Sequence, residues 1–226
     1  MPLLMSTPSV SDRDLARLMG KQKGRAFSRS LSSKIVFLKK KVQTLANPVL
    51  SYRMYRLETV SKNGVELEGN LCLKSVKLAG TLSGCKEVVC FLGTIGTRIE
   101  KEISRLMGQR RLSDAYVLDV MGSVTTENMV AQFYRRMKKL HETDKKAISL
   151  RFSPGYCDWP VTEQKHLFQL LDAKGVGVQL TDSCLMQPRK SISGVFGIYP
   201  QHDGSTRNVY NPCLECRKKE CQARRN

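Results

Sequence analysis

The sequence predicts an α+β fold, and three observations carry that expectation. Strand-like runs are paired by turn chemistry into hairpins, apolar residues elsewhere recur at helical spacing, and the two kinds of segment do not alternate as strict βαβ units. With 226 residues the chain can bury one substantial core or two small ones without a disulfide or metal staple, and a large multidomain enzyme is excluded.

Taken in order, Ser11 caps a short helix running to Gly20, and the basic stretch Lys21 to Arg29 is expected to be a mobile link. From Leu31 the apolar positions Leu31, Ile35, Leu38, Val42 and Leu45 recur at steps of three or four until Asn47-Pro48, which predicts an amphipathic helix with Lys39, Lys40 and Lys41 outside. Residues 51–60 and 64–69 read as a hairpin turning at Asn63-Gly64, a pair suited to positive φ. A short helix is expected over 73–82. EVVCFL (87–92) is a compact apolar run fit for a buried strand, followed by a Gly-containing turn at 93–97 and a helix carrying Ile99, Ile103 and Leu106. A long helical pattern runs from Asp114 to near Leu140, with Leu118, Met121, Met129, Phe133, Met137 and Leu140 on its apolar side. Its basic end (Arg135, Arg136, Lys138, Lys139) suits a helix C-terminus. AISLRF (147–152) reads as a strand, Pro160 starts another helix, and 176–180 and 192–199 read as strands.

Lys and Arg total 38 against 20 Asp and Glu, for a net charge of +18, while 41% of residues are hydrophobic. The composition is that of a folded, basic protein with an acidic partner, which could be nucleic acid, an anionic membrane or an acidic protein. No run approaches the ~20 apolar residues of a membrane span and Met1 to Met5 is too short for a signal sequence, so a cytoplasmic location is expected. Five of the eight cysteines (Cys72, Cys85, Cys90, Cys157, Cys184) lie in apolar or strand-like segments, as reduced buried thiols do. Cys213, Cys216 and Cys221 crowd instead into the last fourteen residues.

Two segments could bind a small ligand. Gly93 to Gly96 opens a helix, whose backbone N–H groups favour anions, but it lacks the Walker lysine and the third glycine of the dinucleotide fingerprint, so a plain strand-to-helix turn is the better account. Arg151-Phe152-Ser153-Pro154-Gly155-Tyr156 offers a planar cationic fork, a tight turn that lets a ligand approach the backbone, and an amphipathic ring. Together these suit a small amphoteric ligand; on composition alone an ordinary Pro-Gly turn is the preferred alternative.

The order RFSPGYCDWP, LTDSCLMQP and SISG over 151–197 resembles the activation domain of cobalamin-dependent methionine synthase. From VCFLGTIG through LDVMGS the chain is similar to free-standing relatives of that domain, so the resemblance extends over residues 50 to 200. It implies a mixed, largely antiparallel twisted sheet with hairpins packed against several helices, and S-adenosylmethionine as ligand. Arg151 would hold the methionyl carboxylate, with the backbone around Ser153 and Gly155 and the ring of Tyr156 lining the pocket. Phe196 stands where the family has a tyrosine, Asp182 where it has a glutamate. The helix that carries a family carboxylate is not acidic around Tyr134 and Arg135, and Glu127 is the nearest candidate. The implied chemistry is reductive reactivation of a corrinoid, whose binding motif this chain lacks; His141, His166 and His202 are isolated. Cobalamin or another corrinoid must therefore come from a partner methyltransferase, with a flavodoxin-like or ferredoxin-like low-potential electron donor.

Cys213-x-x-Cys216-x-x-x-x-Cys221, flanked by basic residues, could ligate zinc or an iron–sulfur cluster, with Cys157, Cys184 or an outside group completing the set; a flexible reduced tail is the alternative. The expected organisation is a basic helical extension (1–49), an activation-domain-like unit (50–205) and a cysteine-containing tail (206–226). Two other functions are alternatives. A nucleic-acid-binding module finds support in the charge but has no RNP or zinc-finger motif, and a small-molecule S-adenosylmethionine-dependent methyltransferase lacks the glycine-rich first turn.

Overall fold

The computed structural model of the chain describes residues 2–20, 27–200 and 210–217. Most of the link at 21–29, together with His202 and Cys221, falls outside them. Ser11 and Ser28 cap the first two helices, α1 (Asp12–Leu18) and α2 (Arg29–Leu45), each by accepting a backbone N–H three residues on. A long strand, β2 (Val49–Ser61), follows and pairs near its start with β1 (Leu3–Leu4). Then come β3 (Gly64–Leu67), β4 (Leu71–Lys74), α3 (Val76–Leu82), β5 (Glu87–Thr94), α4 (Arg98–Gly108) and the 32-residue α5 (Leu112–Thr143). The last part holds α6 (Gln164–Leu170), α7 (Ala173–Val176), the small β6 (Gln179–Leu180) and β7 (Met186–Gln187) pair, and β8 (Ser191–Ile198).

The main sheet has the order β4-β3-β2-β5-β8, with every pairing antiparallel. β2 serves two neighbours: residues 49–56 pair with β5, and 57–61 with β3 after a register shift between Leu57 and Thr59. β5 is buried on both faces. Val89 and Phe91 join Phe196 and Ile198 in a core closed by α1, α2, α4 and α5; Val88, Cys90 and Leu92 join Val195 and Tyr199 under α3, α6 and α7. Cover on both sides explains why EVVCFL is continuously apolar. The first core also contains Leu15, Ile35, Leu38 and Val42, so the N-terminal helices pack against the same sheet. Ion pairs tie α2 to its neighbours: Lys34 to Asp114 at 2.7 Å, and Lys41 to Glu102, which Arg105 also holds at 2.8 Å.

Several expectations shift, and two thiols expected to be buried, Cys72 and Cys157, are exposed. The hairpin turns on Lys62-Asn63, and Gly64 is already strand, paired with Ser61. Its glycine is required because a Cβ there would lie 2.3 Å from the Leu73 carbonyl oxygen. The helix expected over 73–82 begins only at Val76, where Ser75 caps it, because Leu73 and Lys74 pair with β3. Val176 ends α7, and Gly177 leaves it with φ 75° before strand resumes. At the end of α5 Leu140 is 59% exposed, and His141 is the buried residue.

Candidate functional site

AISLRF does not form a regular strand. It makes two isolated antiparallel bridges to β8, Ile148 to Ile198 and Phe152 to Val195. Ser149 N–H donates to the Gly197 carbonyl at 2.8 Å, Gly197 N–H returns a bond to Ser149 Oγ at 2.8 Å, and Phe152 and Val195 exchange both backbone bonds at 2.8 Å. Four steps of chain from 148 to 152 thus face three from 198 to 195. The extra residue is a bulge: Leu150 and Arg151 together oppose Phe196. A bulge bends its strand and re-aims a side chain, and such irregularities cluster at sheet edges beside functional sites. Gly194 lets the segment approach this closely, since a Cβ there would stand 2.6 Å from the Phe152 carbonyl oxygen and 2.7 Å from Ser153 Oγ.

The bulge carries Arg151 over α5. Its guanidinium carbon is 5.7 Å from the centre of the Tyr134 ring, and Nη2 is 3.7 Å from Glu127 Oε2. Glu127 and Tyr134 are seven residues apart and share one helix face. Tyr134 is the keystone: its hydroxyl donates to the Ser149 carbonyl at 2.7 Å, its ring stacks under Arg151, and its edge meets Phe196 at 5.3 Å and 87°. The Arg151 side chain is 17% exposed and that of Glu127 is 50% exposed, so the pair opens to solvent through the carboxylate. Phe196 is fully buried among Phe91, Phe133 and Tyr134, forming the floor beneath the site. In the sequence Tyr134 stands out only as a non-acidic position, and its spacing from Glu127 is the one signal that it shares that residue's helix face.

The following loop is held from both sides. Pro154 is buried, and Gly155 has φ 89° while its N–H donates to the Trp159 carbonyl at 2.8 Å. Tyr156 is 48% exposed. Trp159 is buried and stacks on Phe152 at 5.8 Å. Asp158 caps α3, accepting from Ser75 Oγ at 2.8 Å and Val76 N–H at 2.6 Å. Partial burial works the other way, but the bonds from Ser75, Lys77 and Val76 hold this carboxyl below its ordinary range. On β8, Ser193 Oγ donates to Gln164 Oε1, fixing α6 against the strand. The loop carrying Ser153, Gly155 and Tyr156 thus follows Arg151 directly in the chain and is anchored at Trp159 and, through Asp158, at α3.

The other predicted positions are placed elsewhere. Asp182 is exposed in the turn between β6 and β7. His166 lies 3.4 Å from Glu163, and the buried His141 has no hydrogen-bond partner among the described residues on either ring nitrogen. The turn expected at 93–97 narrows to 95–97, because Gly93 and Thr94 still belong to β5: Gly93 pairs with Leu50 and Ile192 and is packed against Met129, and Gly96 N–H bonds Thr94 Oγ1. A depression of about 540 Å³ lined by Met54, Arg56, Glu68 and Lys86 lies at the β2–β5 side of the sheet, with β8 between it and Arg151. Among the described residues no three His, Cys, Asp or Glu side chains stand together as a metal site, and no helix is long and apolar enough to cross a membrane.

This geometry can be set beside known proteins. Residues 109–209 match the family described as vitamin B12 dependent methionine synthase, activation domain. No curated protein matches the chain. Among solved structures it is similar to the MetH reactivation domain bound to AdoHcy, with a TM-score of 0.63 at 16% identity over 86% of this chain and 72% of that one, a likeness of fold. The matched residues contain the bulge, the Pro-Gly loop and all of β8, and the sheet and helices around them have the same fold. Residues 109–209 thus match the activation-domain family of vitamin B12 dependent methionine synthase, and the chain shares the fold of the reactivation domain.

Proposed function

We propose that the chain binds S-adenosylmethionine at the Arg151 bulge and acts as a stand-alone activation protein for the cobalamin of a separate methyltransferase. The observation that carries the reading is the Arg151–Glu127 pair, 3.7 Å apart over the Tyr134 ring. A cation and an anion side by side at an open edge complement the carboxylate and ammonium of an amino-acid ligand, and Arg151 offers the fork that a carboxylate accepts. The half-exposed Tyr156 gives a flat wall for the adenosine, and the exposed backbone at Gly155 leaves room beside it. The similar reactivation domain is described as bound to AdoHcy, the demethylated form of the same ligand.

In this reading S-adenosylmethionine supplies a methyl group to a corrinoid carried by the partner, after reduction by a flavodoxin-like or ferredoxin-like donor. The residues of this chain would bind and orient: Arg151 and Glu127 would fix the amino-acid end, and Ser153, Gly155 and Tyr156 would line the rest of the ligand. Residues 50–205 would form the binding unit, with 1–49 as a basic helical cover and 206–226 as a cysteine-containing tail. The excess of cations suits docking to an acidic partner. Calorimetric titration with S-adenosylmethionine tests the reading. The wild type is expected to bind, with Arg151→Ala at least tenfold weaker; absence of heat with the wild type overturns it.

A further inference from the structure

A second ion pair joins α5 to the strand side of the site, further back along the same helix face. α5 and β8 run in the same direction, since Ser123 meets Lys190, the residue before β8, and later in both elements Tyr134 meets Phe196. The Lys190 ammonium donates to Ser123 Oγ at 2.9 Å and lies 2.9 Å from Asp119 Oδ1. Asp119, Ser123 and Glu127 follow one another at steps of four, so they form one stripe along α5. The backbones of Asp119 and Glu127 stand about 12 Å apart along the helix axis. In both pairs, Lys190–Asp119 and Arg151–Glu127, the acid is on α5 and the cation on the strand side.

Lys190 is fixed by its own backbone. Its N–H donates to Glu100 Oε1 at 2.9 Å, and its carbonyl accepts from Ile95 N–H and from Thr94 Oγ1, each at 3.2 Å. Gly122 admits the side chain, because a Cβ there would stand 3.1 Å from Lys190 Cε and 3.3 Å from Ile99 Cγ2. The lysine side chain is 9% exposed, whereas that of Asp119 is 40% exposed. The carboxylate thus opens to solvent on a fixed cationic base, as Glu127 does beside Arg151, and it keeps lone pairs for an outside donor.

The segment after Arg151 sets the direction of a ligand. Phe152 is bridged to Val195, and Ser153 Oγ would stand 2.7 Å from a Cβ on Gly194, so the chain runs back along β8 toward Lys190. On the opposite side the Tyr134 hydroxyl, bonded to the Ser149 carbonyl at 2.7 Å, closes the way. Between the two pairs lies the half-buried Ile192, on the same face of β8 as Phe196. A ligand whose amino-acid end rests on Arg151 and Glu127, and which lies along the loop, therefore extends toward Ser123 and Asp119.

Resting on the reading of the Arg151 site as one for S-adenosylmethionine, we propose that Asp119 reads the ribose of that ligand by accepting hydrogen bonds from its 2′- and 3′-hydroxyls. Carboxylates take this part in other nucleotide sites. A site built to bond a hydroxyl discriminates strongly against an analogue that lacks it, because its own polar group is then left unpaired. Lys190 is a positioning residue: it holds the carboxylate through the ion pair and Ser123 and does not touch the ligand.

The test is calorimetry on the full chain with S-adenosylmethionine and its 2′-deoxy and 3′-deoxy analogues. The wild type should bind S-adenosylmethionine at least tenfold more tightly than either analogue. Asp119→Ala should weaken S-adenosylmethionine at least tenfold and bring the three ligands within threefold of one another. The isosteric Asp119→Asn should narrow the gap at least threefold, and Lys190→Met should narrow it in the same sense. Arg151→Ala, in contrast, should weaken all three ligands by a similar factor and keep the gap. Circular dichroism melting shows which variants are folded. Equal affinity of the wild type for the three ligands overturns the proposal, as does a gap that persists in folded Asp119→Ala or Asp119→Asn; either result leaves the reading of the Arg151 site standing. Absence of heat with S-adenosylmethionine in the wild type removes that reading and the proposal together.

Discussion

Gly194→Ala tests whether the bulge depends on close approach of two backbones. The added methyl would meet the Phe152 carbonyl oxygen at 2.6 Å, Ser153 Oγ at 2.7 Å and Phe91 Cζ at 2.9 Å. Ser153 and Phe91 can yield by side-chain motion, but the Phe152 carbonyl belongs to the backbone and is held to Val195 by one of two mutual 2.8 Å bonds. Relief therefore requires residues 152–153 to move away from β8, which lengthens or breaks both bonds. Two hydrogen bonds lost at about 1 kcal/mol each, with about 1–2 kcal/mol of residual overpacking, amount to a destabilisation of roughly 3–4 kcal/mol. With a urea m-value of about 2 kcal/mol/M, the unfolding midpoint should fall by roughly 1.5–2 M. Because Arg151 sits in the bulge that those bonds define, S-adenosylmethionine affinity should fall in parallel. A midpoint within about 0.3 M of the wild type would refute the reasoning, by showing that the methyl is absorbed without moving the segment.

Two further outcomes follow from the same contacts. Tyr134→Phe keeps the ring under Arg151 but removes the 2.7 Å bond to Ser149, so it should cost about 1 kcal/mol of stability and leave ligand affinity within roughly threefold. Tyr134→Leu also removes the cation–π contact, worth about 0.5–2 kcal/mol, and should weaken calorimetric binding about tenfold; unchanged affinity would show that the ring does not position Arg151. At the α2–α4 contact, the bonds from Arg105, against the opposing effect of burial and with help from Lys41, hold the Glu102 carboxyl down to about 2. A depressed carboxyl contributes stability that is fully present above its unfolded value of about 4.3 and is lost as pH falls toward the folded value. Urea midpoints of the wild type should therefore decline between about pH 4.3 and 2, and Glu102→Gln should show a shallower decline over that window; identical slopes would contradict it.

Much of the local structure was legible because its causes are local. Ser11 caps its helix through a bond to the N–H group three residues on, and Leu31 to Leu45 read as a helix because its buried stripe repeats at helical spacing. EVVCFL read as a strand for the same kind of reason, although burial on both faces removed the alternation that would have oriented it. AISLRF could not be read correctly from its own residues. Its apolar character is that of a strand, and the one-residue mismatch that makes it a bulge exists only in its register against β8. Gly64 was assigned to a turn for its φ freedom, whereas contact with Leu73, nine residues away, is what demands it. Arg151 stands out as a candidate through motif resemblance, and its place 3.7 Å from Glu127 is visible only in the fold. Phe196, which stands where the family has a tyrosine, is fully buried beneath Tyr134.

The sequence by itself determined an α+β chain, the placement of most helices, and the family resemblance carried by RFSPGY, LTDS and SISG. Those properties depend on spacing, capping and residue type within short windows, where a linear reading has access to every relevant neighbour. Only the tertiary structure decided which face of β5 belongs to which core, that Arg151 is lifted over Tyr134 toward Glu127, and that Lys77 gathers Asp158, Tyr210 and Glu215 at the end of α3. Each of these joins residues far apart in the chain, and the energy that selects the pairing lies in close approach and shared burial, which the order of residues alone does not contain.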